Sequence, residues 1–219
     1  MLQDLKMKPA VMPRAELPYT LYLPPDYHSQ PEKRWPLVIF LHGAGERGHD
    51  LTRIRVHGYA KRIAAGEDFP FILAAPQIDG LTYWGNYIES LNHFLDELLA
   101  TLRIDPLHVC LTGLSMGGTG TWMWAIANPE RFASIVPMGG TGVCWAAGNL
   151  NMPVWAFHGE LDDVCPPDES VRMVERINQS GGNAKLTIYE GYGHDCWTDA
   201  YMRQDLLEFI LSNRRLFLM

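Results

Sequence analysis

The sequence predicts an α/β fold in which helices cover both faces of a mostly parallel sheet. Short apolar, β-rich runs recur along the chain and alternate with stretches of helical periodicity. Several of these runs are apolar throughout, as strands covered on both faces should be. Loops rich in glycine and polar residues follow four of the runs. We therefore expect about seven or eight strands, with the functional loops beyond their carboxyl ends.

The strand candidates can be read in order along the chain. The first, YTLYL at 19–23, has no helical pattern after it, so we expect an antiparallel edge strand. The others alternate with helical patterns, which favours parallel pairing through crossover connections. They are LVIFL at 37–41, FILAA at 71–75, HVCLT at 108–112, SIVPM at 134–138, VWAFH at 154–158 and KLTIY at 185–189.

Amphipathic stretches predict the helices. In the clearest, 87–103, Leu91, Leu95, Leu98 and Leu102 form one face and acidic residues lie off it. Because no repeat or low-complexity linker interrupts the pattern, we expect a single domain over 1–219. Further helices are predicted after residue 115, at 168–180 and at 199–213.

Composition and charge exclude several classes of protein. Hydrophobic residues make up 47% of the chain and charged residues 20%, which is the balance of a globular domain rather than a disordered one. The net charge is -7 and no basic stripe occurs, so neither nucleic acid nor an anionic membrane is expected as a partner. The pattern leaves the oligomeric state open.

Targeting signals and cysteines bear on the compartment. No apolar run approaches the roughly 20 residues that span a bilayer, and MLQDLKMKPAVMPRAELPYT lacks a continuous apolar core. We therefore expect a cytoplasmic protein, although a secreted form after signal removal would look the same. The four cysteines form no C-x-x-C pair, which argues against a metal knuckle. Free thiols are the first interpretation, and a Cys165–Cys196 disulfide is the alternative.

Ser115 lies in the motif Gly-Leu-Ser-Met-Gly, between an apolar strand candidate and a helical pattern. This is the context of a nucleophile elbow, in which a strained turn lifts the serine clear of the sheet. Gly113 and Gly117 supply the space that the turn needs. We therefore predict that Ser115 is a nucleophile.

A nucleophilic serine needs a histidine base, which in turn needs an acid. In this fold the acid and then the histidine follow the serine along the chain. His194 lies in the loop after the last strand, whereas His158 precedes the acids of its own loop and is interpreted as structural. For the acid we choose Asp162, with Asp163 as its rival. The unused one is expected to cap the turn or the helix at 168–180.

The oxyanion of an acyl-transfer intermediate needs main-chain N–H donors. One is expected after the nucleophile, at Met116, and the other in HGAGERG after the second strand, at Ala44 or alternatively at Gly45. A phosphate-binding loop is discounted, because no G-K-[ST] follows and the glycine spacing is not G-x-G-x-x-G.

These four loops make the chain resemble the α/β-hydrolase superfamily over nearly its whole length. FLHGAGERG, LTGLSMGG, HGELDDVCP and GYGHDCW are similar to the small single-domain serine esterases of the phospholipase/carboxylesterase and dienelactone hydrolase groups, and to bacterial proteins labelled predicted peptidases or feruloyl-esterase-like. The resemblance implies that Ser115 is the nucleophile, His194 the base and Asp162 the acid. It also favours Ala44 as an oxyanion donor.

The resulting hypothesis is a serine carboxylesterase that acts through an acyl-enzyme and needs no metal or organic cofactor. Only GGTGVCWAAGNLN separates two strands where related enzymes insert a lid, so we expect no large cap and an open cleft. Short-chain acyl esters or aromatic-acid esters would suit it, either as small molecules or linked to a polysaccharide, with an aromatic acid stacking on tryptophans. The candidate substrate-binding residues are Trp84, Trp145, Trp197 and Arg47, the last of which could instead pair with an acid.

Three alternative functions remain. The same triad could cleave peptides or thioesters, since only the leaving group differs. A non-catalytic binding protein of the same fold is the remote alternative, against which the intact triad and both oxyanion loops argue.

Overall fold

Seven strands form one sheet in the part of the chain that the computed structural model describes, residues 17–80 and 82–215. They are β1 (Tyr19–Tyr22), β2 (Trp35–Leu41), β3 (Ile72–Pro76), β4 (Ile104–Leu114), β5 (Ser134–Met138), β6 (Val154–Gly159) and β7 (Ala184–Tyr189). Their order across the sheet is β1, β3, β2, β4, β5, β6, β7. β1 is antiparallel to β3 and the other pairs are parallel, so the predicted α/β class and the antiparallel edge are confirmed.

The α-helices lie between the strands and after the last of them. They are α1 (Gly58–Ala64), α2 (Ile88–Thr101), α3 (Met116–Ala127), α4 (Asp168–Gln179), α5 (Trp197–Ala200) and α6 (Gln204–Ser212), with short 3₁₀ helices at Ala44–Glu46, Leu51–Val56, Trp84–Tyr87, Pro129–Arg131 and Cys144–Asn149. The helix predicted at 199–213 is wrong in its extent. Arg203 has an extended backbone, which separates α5 from α6.

Two hydrophobic cores lie on the two faces of the sheet. Leu37, Ile39 and Leu41 of β2 pack with α2, α3 and α4, whereas Val38 and Phe40 pack with α1, α5 and α6. Successive residues of a strand point to opposite faces, so a strand covered on both sides is apolar at every position. This explains why the predicted strands read as continuous apolar runs.

The loops beyond the carboxyl ends of the central strands meet at one edge of the sheet. The segment 139–153, between β5 and β6, contains one 3₁₀ helix and no inserted domain, in agreement with the expected absence of a large cap. All four cysteines are free thiols, so no Cys165–Cys196 disulfide is present.

Three expectations concern a membrane span, a leader segment and the extent of the domain. In the described part of the chain, no helix combines the length and apolar character that crossing a membrane requires. The expectation about a leader segment depends largely on residues 1–16, which lie outside the described residues. The single domain over 1–219 likewise stays a prediction.

Candidate active site

Ser115 occupies the sharp turn between β4 and α3. Its φ is 53° and its ψ is -119°, and it is the one non-glycine residue with positive φ in the ranges 17–80 and 82–215. Such a conformation costs a side-chain-bearing residue about 1–3 kcal/mol and persists only where the surroundings enforce it. Here the Ser115 N–H donates to the carbonyl oxygen of Met138 at the end of β5, at 2.8 Å, which anchors the turn.

Three glycines around Ser115 are required by close backbone approaches. A Cβ at Gly113 would overlap the carbonyl of Gly117, and one at Gly117 would overlap the carbonyl of Leu41 in β2. A Cβ at Gly118 would likewise overlap the carbonyl of Met138. Because these obstacles are backbone atoms that cannot swing aside, the turn admits no side chain at these positions. The predicted nucleophile elbow therefore has the expected geometry.

His194 lies between Ser115 and Asp162. Its Nε2 is 2.8 Å from the Ser115 Oγ, and its Nδ1 is 2.7 Å from the Asp162 Oδ2. The loop that carries it runs against β6, where a Cβ at Gly159 would overlap the carbonyl oxygen of Gly193. The Trp197 ring meets the imidazole edge to face, with centroids 5.0 Å apart. The structure thus brings the three residues predicted for the triad into one hydrogen-bonded line.

Asp162 is buried and accepts several hydrogen bonds. Its Oδ1 accepts from the N–H groups of Val164 and Cys165, both at 2.9 Å, while its Oδ2 faces His194. Burial acts to raise the pKa of Asp162, but the hydrogen bonds from Cys165, His194 and Val164 outweigh it and the pKa is lowered. The carboxylate is therefore ionised at neutral pH and can stabilise a protonated His194.

The structure distinguishes Asp162 from its rival Asp163. Asp163 is exposed, and among the described residues it has no hydrogen-bond or ion-pair partner. The expectation that the unused aspartate caps the helix at 168–180 is wrong, because α4 begins after Pro167 with no side-chain cap. The turn itself is closed by Asp162, whose Oδ1 accepts the N–H groups two and three residues ahead.

His158, which the sequence analysis interprets as structural, is a second imidazole beside the acid, and its contact with Asp162 was not predicted. It is fully buried at the end of β6, and its Nε2 lies 2.8 Å from the Cys165 carbonyl oxygen and 3.2 Å from the Asp162 Oδ2. Its Nδ1 is 2.7 Å from the Ser170 Oγ of α4. These contacts tie the loop that carries Asp162 to α4.

The two predicted oxyanion donors lie on the loops that flank Ser115. Met116 is the first residue of α3, so its N–H has no acceptor within the helix. Ala44 and its alternative Gly45 lie in the 3₁₀ turn after β2, and a Cβ built on the preceding Gly43 would be 3.6 Å from the Ser115 Cβ. The start of the loop after β2 is therefore close to Ser115, and the roles of Ala44 and Met116 as donors stay predictions.

His42 fixes the loop that contains Ala44. It is fully buried, its Nδ1 is 2.6 Å from the Gly43 carbonyl oxygen, and its Nε2 accepts from the Ile78 N–H at 3.2 Å. Burial lowers the pKa of His42 to about 4, so the ring is neutral at pH 7. The neutral ring can donate from Nδ1 and accept at Nε2, which is the tautomer that both contacts require.

Acidification is expected to destabilise the protein through His42. Above pH 6.5 the His42 ring is neutral in both the folded and the unfolded protein. Between pH 6.5 and about 4, the ring binds a proton in the unfolded chain but stays neutral in the folded protein. Folding stability should therefore fall as pH falls through this window, by up to roughly 3 kcal/mol. Urea unfolding of wild type and His42→Gln between pH 7 and 4 measures this term as the difference between their slopes. Parallel pH profiles of the two proteins would contradict it.

The candidate substrate residues have different environments. Trp84 is a core residue, which corrects the prediction: its ring packs on His42 and its Nε1 donates to the His42 carbonyl. Trp197 is also buried and supports His194 rather than presenting a free ring face. Arg47 donates to the carbonyl oxygens of Ala44 and Thr82, so it braces the loop after β2 instead of pairing with an acid. Trp145 is 84% exposed, so its ring stays a candidate for contact with a substrate.

We searched the described residues for side chains that could together bind a metal ion. Within the described ranges, no group of three or more His, Cys, Asp or Glu residues is arranged to hold a metal ion. The chemistry that the arrangement of Ser115, His194 and Asp162 supports is nucleophilic attack by an activated serine hydroxyl.

Comparisons with known protein families and solved structures also indicate an esterase. The family model described as "Putative esterase" matches residues 12–216. A solved structure titled "Crystal Structure of a Thermostable Esterase" is 30% identical, with a TM-score of 0.80 over 92% of this chain and 60% of that one. A structure titled "ferulic acid esterase" is 18% identical with a TM-score of 0.70, over 88% of this chain and 90% of that one, and shares the fold.

Curated relatives match more distantly. "Putative esterase NocK" of Nocardia uniformis subsp. tsuyamanensis is 26% identical over 176 residues, which are 68% of this chain and 46% of the relative. The chain spans less than half the length of the first curated relatives that it matches.

Proposed function

Because the chain belongs to the esterase family whose model matches residues 12–216, we propose that it is a serine carboxylesterase. The observation that carries this proposal is the line of hydrogen bonds from Ser115 through His194 to Asp162, at 2.8 and 2.7 Å. Such a line makes a serine hydroxyl nucleophilic at neutral pH. The strained turn at Ser115 adds support, because backbone strain of this kind is retained where function requires it.

Acylation begins when the Ser115 Oγ attacks the ester carbonyl carbon and His194 Nε2 accepts the hydroxyl proton. The negative charge on the carbonyl oxygen is stabilised by the N–H groups of Ala44 and Met116, each worth about 3 kcal/mol in comparable sites. The ionised Asp162 stabilises the imidazolium through Nδ1. His194 then gives its proton to the leaving alcohol as the C–O bond breaks, which leaves the acyl group on Ser115.

Deacylation repeats these steps with water as the nucleophile. The water oxygen attacks the acyl carbon while His194 takes a proton from that water. His194 then returns a proton to Ser115 Oγ as the carboxylic acid leaves. The short segment 139–153 leaves the cleft open, which favours short-chain acyl esters or aromatic-acid esters over long acyl chains that need a covered tunnel.

A panel of substrates tests the proposal directly. The panel contains p-nitrophenyl acetate and butyrate, methyl ferulate, acetylated sugars, an acyl thioester and an aminoacyl p-nitroanilide. We expect the highest kcat/KM among the esters, together with a burst approaching one equivalent of p-nitrophenol if deacylation is slower than acylation. A higher kcat/KM for the anilide than for the esters would favour a peptidase. A higher kcat/KM for the thioester would favour a thioesterase. Absence of turnover on every substrate by folded protein would contradict the proposal.

A further inference from the structure

A groove of about 480 Å³ lies between the loop after β5 and one side of α4. The same loop begins directly after Met138, whose carbonyl oxygen accepts the Ser115 N–H. This volume would accommodate one or two rings of a small molecule. We call it the Trp145 groove, and its lining residues are Gly142, Val143, Cys144, Trp145, Glu169, Arg172 and Arg176.

Trp145 exposes its indole ring to an unusual degree. Its exposed fraction is 84%, whereas Trp84 and Trp197, in other loops of the same region, are 1% and 7% exposed. An exposed indole leaves a large apolar face in water, which is unfavourable unless another ring or apolar group covers it during function. Trp145 therefore offers a stacking surface on the floor or wall of the groove.

Arg172 and Arg176 supply positive charge next to this ring. They are four residues apart on α4 and hence on the same face of the helix, and both are exposed. Glu169 also lines the groove, but neither guanidinium is within ion-pair distance of an acidic group among the described residues. Two unpaired guanidinium groups beside an aromatic face suit a planar carboxylate attached to a ring.

The loop that lines the groove is hydrogen-bonded to the helix that follows Ser115. The Thr119 N–H in α3 donates to the Ser115 carbonyl at 3.0 Å, and the Thr141 N–H donates to the Thr119 Oγ1 at 2.9 Å. Gly142, which lines the groove, directly follows Thr141. The Cys144 Sγ lies 3.6 Å from the Arg172 carbonyl oxygen and joins the same loop to α4. One side of the groove is therefore formed by a loop that is anchored to the first turn of the helix carrying the nucleophile.

We propose that the Trp145 groove is a substrate subsite that binds a ring bearing a carboxylate, with the ring against Trp145 and the carboxylate between Arg172 and Arg176. This inference rests on the proposed esterase function and specifies its substrate as an ester with an anionic ring on one side of the scissile bond. The subsite acts in binding, and the triad alone carries the chemistry.

Binding of a matched pair of probes tests the subsite without relying on turnover. Calorimetry compares 4-hydroxycinnamate with 4-hydroxycinnamamide, which differ in the negative charge. Wild type should bind the acid about fivefold more tightly at low ionic strength, and the preference should vanish in 0.5 M salt. Arg172→Gln/Arg176→Gln should abolish the preference, while Trp145→Ala should weaken both probes by about fivefold.

The control variant removes two positive charges elsewhere. Lys33 and Arg34 are exposed at the start of β2, on the opposite edge of the sheet, so Lys33→Gln/Arg34→Gln should keep the preference for the acid. The acid should also inhibit p-nitrophenyl acetate hydrolysis competitively. Equal binding of the two probes by wild type, a preference that survives the Arg172/Arg176 change, or non-competitive inhibition would overturn the subsite. If wild type hydrolyses no ester, the esterase proposal fails, and the calorimetric comparison still decides whether the groove binds the anion.

Discussion

Replacing Ser115 with alanine is expected to lower kcat for p-nitrophenyl acetate by about 10⁴- to 10⁶-fold, because triad members act as a unit. The change removes the attacking oxygen, and the 2.8 Å hydrogen bond to His194 is lost with it. Alanine retains the Cβ, so the strained φ of 53° and the surrounding packing are unchanged. The residual rate reports what the oxyanion donors and substrate binding achieve without a nucleophile.

Labelling with a fluorophosphonate probe provides the companion measurement. Intact-mass spectrometry should show one adduct on the wild type and none on Ser115→Ala. Ser29→Ala is the matched control, since Ser29 is exposed in a loop before β2 and its hydroxyl contacts only the nearby Asp26 carbonyl among the described residues. That control should label and turn over like wild type. Labelling that persists in Ser115→Ala, or a kcat within tenfold of wild type, would mean that another group is the nucleophile.

The parts of the fold and site that could be predicted from sequence are those with a local signal. The central parallel strands are buried on both faces, so they read as apolar runs, and the loops that follow such strands must meet at one edge. Ser115 and His194 follow from that topology, because the glycines around the serine and the chain order of the partners are visible in the sequence itself.

What could not be predicted depends on contacts between distant segments. Whether a tryptophan in a loop is covered depends on its neighbours, and the burial of Trp84 results from packing against His42 and Gly120. The contact of His158 with Asp162 requires the loop after β6 to turn back on its own strand. Arg47 finds main-chain acceptors in two loops, which no spacing of acidic residues would reveal.

The choice between Asp162 and Asp163 gives the sharpest test of the triad, because the same chemical change can be made at adjacent positions. Asp162→Asn is expected to lower kcat by about 10⁴-fold. Its Oδ1 can still accept the Val164 and Cys165 N–H groups, so the turn should survive. If that oxygen stays there, an amide NH₂ replaces the Oδ2 that faces both His194 and His158. An NH₂ donor cannot accept from Nδ1–H, so it favours the wrong tautomer of His194 and gives no charge to stabilise the imidazolium.

Asp163→Asn should leave kcat close to that of wild type, because the exposed Asp163 carboxylate contacts neither histidine. Both variants change the net charge equally, so a general electrostatic effect would lower the two rates alike, whereas loss of the acid lowers only one. Steady-state kinetics on p-nitrophenyl acetate, with circular dichroism to verify folding, separates these cases. A larger loss in Asp163→Asn would require the loop after β6 to rearrange during turnover, since in the structure only Asp162 of this pair is within hydrogen-bond distance of His194.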